Sequence, residues 1–402
     1  MTLSPIQKEA ILRNINKVPV DSLKKKIDNN ELTLEECIEN GLSQTTVDEI
    51  HFQAAAELEA EQQFEEDAAF YEKINNDELI IQEIKAAILD GRVTEEGLLS
   101  NTLIDDRLLY KIKNYEDSFR QPEINEEPTK KGYTDIFFFG KSGSGKSCVL
   151  ASLFNYGEKE GYLVDDPHSI KGINYKNDIV STLRNGVLPA ATIADEGRVT
   201  YITTELHHKD TDDINLLNII EMSGEFYTAA AKDPSMWANG VDAHGYLSNS
   251  NKKLLFFVID FKVHIDPHMV SNQEASFNLM LSQLDNYNKC LKNTYCIYII
   301  VNKSDLFPAD ELLKYNNDRS QYARNFFTEN YKSFYTNLKN KQDKNGFELR
   351  NLHYSLGNFM FRNSYLSEMN YDCPKQLIKT IQHQAGRKKS GGWFDNMFDS
   401  ND

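Results

Sequence analysis

The apolar positions change their period partway along the chain. Over residues 1–120 they recur every three or four places, as in Ile11 and Ile15 or Ile80, Ile84 and Ile88, which predicts amphipathic helices. Short Asn/Asp clusters (Asn29-Asn30 and Asn75-Asn76-Asp77) break this pattern. Thr33 followed by Glu36 has the spacing of a capping box, in which each side chain satisfies a backbone donor of the other's turn. From Tyr133 onward, compact apolar runs take over: TDIFFFG, RVTYITTEL (198–206), DINLLNIIEM (213–222), LLFFVID (254–260) and YCIYIIV (295–301). Their length and their aromatic and β-branched content are those of strands. CVLASLF after the first run and Pro374–Ala385 near the end read as helices. SFRQPEINEEPTKKG (118–132), with two prolines and mixed charges, is the natural linker between the two textures.

The helical part carries an internal repeat. IDNNELTLEEC from Ile27 aligns with ILDGRVTEEGL from Ile88 at an offset of 61, matching Ile27/Ile88, Leu32/Val93, Thr33/Thr94 and Glu35/Glu96. VDEI near Ile50 has a counterpart in LLYKI near Ile112. The expectation is two related helical hairpins joined by a long acidic helix over roughly residues 51–73.

Charge separates the same two parts. The 402 residues hold 61 Asp and Glu against 44 Lys and Arg, a formal −17. Residues 1–127 contain 29 of those acids and 13 of the bases, a net of −16, which leaves −1 for the remainder. A surface this acidic repels phosphate backbones, so direct nucleic-acid binding through it is not expected. Its carboxylates read as a solvated helix face or as a docking surface for a basic partner. The five cysteines show no CxxC spacing, and no run reaches 18 apolar residues. Neither a zinc site, a disulfide framework nor a membrane span is expected, and the cytoplasm is the expected compartment.

The chemistry concentrates in two places. TDIFFF leads into Gly140-Lys141-Ser142-Gly143-Ser144-Gly145-Lys146-Ser147 and then Cys148 on a helix. This is the strand–GxxxxGK[ST]–helix arrangement of a P-loop, whose small residues let successive backbone N–H groups point at phosphate. Lys146 is expected on the β- and γ-phosphates and the Ser147 hydroxyl on Mg²⁺. Second, YCIYIIV runs directly into Asn302-Lys303-Ser304-Asp305. A carboxylate at Asp305 can accept the N1 and N2 protons of guanine, which adenine does not supply; Asn302 can brace the loop and the Lys303 stem can cover the ring.

These motifs make residues 132–385 resemble the Ras-like, translation-factor (TRAFAC) class of P-loop GTPases. The resemblance implies a three-layer α/β/α domain with a mixed, mainly parallel sheet, preceded here by an all-α domain. It implies GTP or GDP and Mg²⁺ as ligands. Glu221-Met222-Ser223-Gly224-Glu225 resembles the class's DxxG switch, with Glu221 at the metal-holding acid and Gly224 sensing the γ-phosphate. Glu225 would orient the attacking water or take its proton. Thr192, in the loop before the hairpin, is the expected switch threonine on Mg²⁺, with Thr200, Thr203 and Thr204 as strand alternatives. Ser355, in Leu352–Gly357, sits where the class has its second guanine loop. Gly186-Val187-Leu188-Pro189 and the long spacings resemble bacterial conflict-system "double-GTPase" groups.

The expected domains are 1–120, a linker 121–131, the GTPase domain 132–386 and a tail 387–402. In the tail, Arg387-Lys388-Lys389 and a Ser-Gly-Gly hinge precede Trp393, Phe394, Met397 and Phe398 at helical spacing. That segment would dock on a protein, graze a membrane or pack back on its own domain. The expected function is a GTP-hydrolysing switch controlling a protein partner through the switch face, the acidic domain or the tail, in bacterial defence or stress. A catalytically weak nucleotide-dependent scaffold and an ATP-using member are the other readings, and the sequence leaves the oligomeric state open.

Overall fold

A computed structural model describes residues 3–116, 130–167, 169–189, 199–222, 243–265, 267–286 and 290–387. The expected switch residues Thr192, Gly224 and Glu225, and the tail from Lys388, lie outside this set. The chain divides into two units: Met1–Leu79 with Glu83–Tyr110, and Ile80–Gln82 with Lys111–Asp402.

The N-terminal part is helical: α1 (Pro5–Arg13), α2 (Val20–Asp28), α3 (Leu34–Glu39), α4 (Gln44–Asn75), α5 (Ile81–Leu89), α6 (Glu95–Asn101) and α7 (Asp106–Lys113), the first two residues of α5 and the last three of α7 being counted in the second unit. The offset of 61 reappears as geometry. It carries α2 onto α5 and the start of α3 onto the start of α6. Thr33 and Thr94 are both N-caps, accepting from the backbone N–H of Glu36 and Gly97, and Glu36 completes the box at α3. The turns between these helices pivot on Asn30 and Gly91, both with φ in the left-handed region (57° and 68°). Leu23, Leu32 and Cys37 are buried in the first repeat; Ile84, Val93 and Leu98 take their places in the second.

The acidic helix is longer at both ends than 51–73. Ser43 caps it, and it buries Val47 and Ile50 at its start and Tyr71 and Ile74 at its end. Between those pairs most side chains face water. The apolar anchors of α4 therefore lie toward its two ends, on either side of an exposed polar middle. Its start completes the first repeat and its end opens the second. Asn16 Nδ2 donates to Gly41 O (2.8 Å) just after α3, and Asn75 Nδ2 donates to the carbonyl of Asn101 (3.0 Å), the last residue of α6.

The second unit is built on a seven-stranded sheet, in the order β2-β3-β4-β1-β5-β6-β7. The strands are β1 (Thr134–Phe139), β2 (Leu163–Asp165), β3 (Val199–His207), β4 (Ile214–Met222), β5 (Lys252–Asp260), β6 (Thr294–Asn302) and β7 (Glu348–Tyr354). β2–β3 and β3–β4 are antiparallel and the remaining pairs are parallel. Both faces are covered, so alternate residues of each central strand enter opposite cores. Phe137, Leu255, Phe257, Ile297 and Ile299 pack on one side, against α10 (Ala243–Ser248), α11 (Pro267–Asn286), α13 (Arg319–Asn330) and α14 (Lys332–Asn345). Phe138, Phe256, Tyr298 and Ile300 pack on the other, against α8 (Lys146–Lys159), α9 (Ile170–Arg184) and α15 (Asp372–Gly386). The short α12 (Ala309–Leu313) follows β6. A two-stranded hairpin, β8 (Gly357–Met360) and β9 (Tyr365–Met369), is inserted before α15.

A buried polar network ties the sheet at the end away from the P-loop. Asp135 accepts from Asn218 (2.6 Å), Asn251 (2.9 Å) and Asn249 (2.8 Å), with Lys253 Nζ at 3.7 Å. Asn218 and Asn251 also donate to Lys130 O, which fastens the entry of the domain. Burial pushes the Asp135 carboxyl up and the Lys253 ammonium down, so each group depends on its partners. Asp135→Ala removes the acceptor and leaves Lys253 buried without it. The expected cost is about 3–5 kcal/mol in urea unfolding; a loss below about 1 kcal/mol would show that the network is dispensable.

Candidate nucleotide-binding site

β1 ends at Phe139 and α8 begins at Lys146, so residues 140–145 form the loop between them. Gly143 and Gly145 are left-handed (φ 77° and 87°), which disfavours any side chain there. A Cβ on Gly140 would lie 2.7 Å from Ser144 Oγ and 2.9 Å from Val258 O, and one on Gly145 would lie 2.4 Å from Asn302 Nδ2. The glycines thus let the loop close on β5 and on the end of β6. Lys146 Nζ donates to Gly140 O (2.8 Å) and Lys141 O (3.2 Å), which holds the ammonium over its own loop.

The second motif is joined to the first. Asn302 Nδ2 donates to Ser144 O (2.8 Å). Lys303, itself left-handed at φ 62°, donates to Asp260 Oδ2 (2.7 Å) and Gly143 O (3.2 Å). Ser355 Oγ donates to Asp305 Oδ1 (2.9 Å), so Ser355 acts on the aspartate through its side chain. Ser142, Gly143, Gly145, Lys146, Ser147 and Cys148 line the same cavity of about 340 Å³ as Asn302, Lys303 and Asp305. Gly140, Ser144 and Ser355 stand behind the lining and hold it. Burial pushes the Cys148 thiol up to about 12, so it stays protonated and its backbone N–H is the group available to an anion.

Glu221, near the end of β4, is fully buried behind Ser147. Ser147 Oγ donates to Glu221 Oε1 (2.5 Å), and the Tyr175 hydroxyl donates to Glu221 Oε2. A hydroxyl and a carboxylate in contact are a hard-oxygen pair that suits Mg²⁺. Among the described residues no three His, Cys, Asp or Glu side chains gather. Of the strand threonines, Thr203 Oγ1 donates to Asp166 and Thr204 Oγ1 to Val164 O; both hold the hairpin to β2 and its flank. Thr200 is buried and pairs in register with Glu221.

Of the rest of the wall, the sequence motifs marked only Leu356, in the Leu352–Gly357 segment, and Leu188 and Pro189. Leu356, Phe359, Arg362 and Asn363 reach the cavity from the β8–β9 hairpin and the turn before it, and Lys262 from the turn after β5. Leu188 and Pro189 come from the segment after α9. Leu366 N donates to Gly186 O (2.8 Å), which attaches that segment to β9. Only a Gly-x-Leu-Pro pattern pointed to it, and nothing local pointed to the hairpin.

Strand order, glycine loop and the Asn302–Asp305 loop together define the fold of the P-loop GTPases. No family model and no curated protein matches the chain. Among solved structures, the signal recognition particle receptor SRb-GTP/SRX complex from Chaetomium thermophilum aligns at 16% identity and a TM-score of 0.30, over 56% of this chain and 92% of that one. Toc33 from Arabidopsis thaliana, a dimerization-deficient mutant, aligns at 14% identity and 0.33, over 65% and 87%. A putative nucleolar GTP-binding protein 1 from Plasmodium falciparum aligns at 12% identity and 0.26, over 65% and 93%. At these values the likeness adds no weight of its own, and the assignment of the fold rests on the chain's own loops and strand order. No helix among the described residues is long and apolar enough to cross a membrane.

Proposed function

We propose that the chain binds GTP and hydrolyses it as a Mg²⁺-dependent switch. The observation that carries this reading is the bridge from Asn302 to Ser144, which makes a phosphate cradle and a guanine-type loop one continuous wall. Lys146 and the loop N–H groups bind and orient the phosphates, and the start of α8 adds its own donors. Asp305, steadied by Ser355, accepts from the base edge. Ser147, with Glu221 beside it, would hold Mg²⁺, which would supply charge neutralisation for the phosphates. Thr192, Gly224 and Glu225 are proposed to complete the site and to change arrangement with the γ-phosphate. A protein partner read through those segments, the acidic helices or the tail, in bacterial defence or stress, is the corresponding output.

One observation favours a catalytically weak scaffold instead: both Glu221 oxygens already hold protein hydroxyls. Single-turnover assays with GTP and ATP, with and without Mg²⁺, decide the matter. The expected result is tight GTP binding, weak competition by ATP and Mg²⁺-dependent phosphate release. Tight GTP binding with release no faster than buffer would establish the scaffold, and equal competition by ATP would remove the guanine assignment.

A further inference from the structure

The acid at the metal-holding position is a glutamate, one methylene longer than the aspartate usual in the class, and its second oxygen is held by a helix outside the P-loop core. That helix, α9, lies between β2 and β3 in the chain and packs directly on β3. A Cβ on Gly172 would come within 2.6 Å of Tyr201 O and 3.1 Å of Ile202 Cα, so the missing side chain permits backbone-to-backbone approach. One turn further on, Tyr175 is buried and its hydroxyl donates to Glu221 Oε2. The next residue, Lys176, is 2% exposed and is paired with Glu158 on α8 and Asp165 on β2. The turn bearing Tyr175 is therefore pinned from both sides.

We infer that Tyr175 is a positioning residue that makes Glu221 usable as the metal-side carboxylate. The extra methylene gives the Glu221 carboxylate one more rotatable bond than an aspartate has. Fixing Oε2 removes that freedom and leaves Oε1 facing the Ser147 hydroxyl at 2.5 Å, where an ion shared with Ser147 would sit. A buried carboxylate is costly unless its oxygens accept hydrogen bonds, so losing the tyrosine donor frees it to seek another partner away from Ser147. Tyr175 does not line the cavity, so it reaches a bound ion through Glu221. The inference rests on the reading of this site as a Mg²⁺–nucleotide site.

The test compares the full chain with Tyr175→Phe, Glu221→Gln and the double variant, measuring affinity for a fluorescent GTP analogue as Mg²⁺ is titrated and again in EDTA. Tyr175→Phe is expected to keep the wild-type affinity in EDTA and to raise the Mg²⁺ midpoint about tenfold, the effect of one charge-assisted hydrogen bond. Glu221→Gln is expected to raise the midpoint at least as far, and the double variant to add nothing beyond it. An unchanged midpoint in Tyr175→Phe, or fully additive shifts, would overturn the inference. So would a loss of affinity equal in Mg²⁺ and EDTA together with a lowered melting temperature, which is the signature of a merely structural tyrosine. A wild-type chain whose GTP affinity ignores Mg²⁺ overturns the role of Tyr175 but leaves GTP binding standing. One that holds no nucleotide in either condition overturns both.

Discussion

Lys146→Ala is expected to lower GTP affinity by about 100-fold or more, since each hydrogen bond to a charged group contributes roughly 1.5–3 kcal/mol and the ammonium can serve two phosphates. The lysine is already in place. It is 6% exposed and donates to Gly140 O and Lys141 O, so nucleotide binding exchanges two carbonyl acceptors for phosphate oxygens without a search through rotamers. Isothermal titration with GTP in Mg²⁺ measures the loss, and a melting curve of the empty variant checks that the loop still folds. An affinity within about threefold of wild type would mean that this ammonium serves only its own loop.

Asp305→Asn should exchange the preferred base. The variant is expected to lose GTP affinity by at least about 100-fold and to gain xanthosine triphosphate, whose 2-oxo edge accepts where guanine donates. Ser355 Oγ holds Asp305 Oδ1, so the substitution keeps one anchored oxygen and changes only what the other atom offers the base. Competition of both triphosphates against a labelled analogue reads out the exchange. Equal loss for both would assign Asp305 a structural task, and no loss for either would place the base elsewhere in the cavity.

Much of this site was legible because it is local. The P-loop and the Asn302–Asp305 tetrapeptide each lie within eight consecutive residues or fewer, directly after strands whose apolar runs announce them. The helical repeat was legible because capping and left-handed turns leave marks at fixed offsets, as at Thr33 and Thr94. The remainder is tertiary. Tyr175 reaches Glu221 only because Gly172 lets α9 settle on β3, and neither residue forms a motif with the other. The β8–β9 hairpin turns through Phe361, Arg362 and Asn363, all with positive φ, in a stretch where only the asparagine favours that conformation. Propensity alone gave no reason to expect a turn there or its approach to the cavity. The extent of α4 is hard to read for a related reason: its polar middle dominates the pattern, while its buried anchors lie near the rims.

The contact of Asn302 with the loop around Gly145 has a thermodynamic corollary. One amide spans the strand that ends in the base loop and the turn that wraps phosphate, and the bare Gly145 leaves it room. Any coupling that this amide carries between the two subsites is reciprocal. Whatever factor an occupied base subsite contributes to the grip on a phosphate chain, an occupied phosphate subsite must return equally to the grip on the base. Guanosine and inorganic pyrophosphate, added as separate molecules, should therefore change each other's binding by one and the same factor.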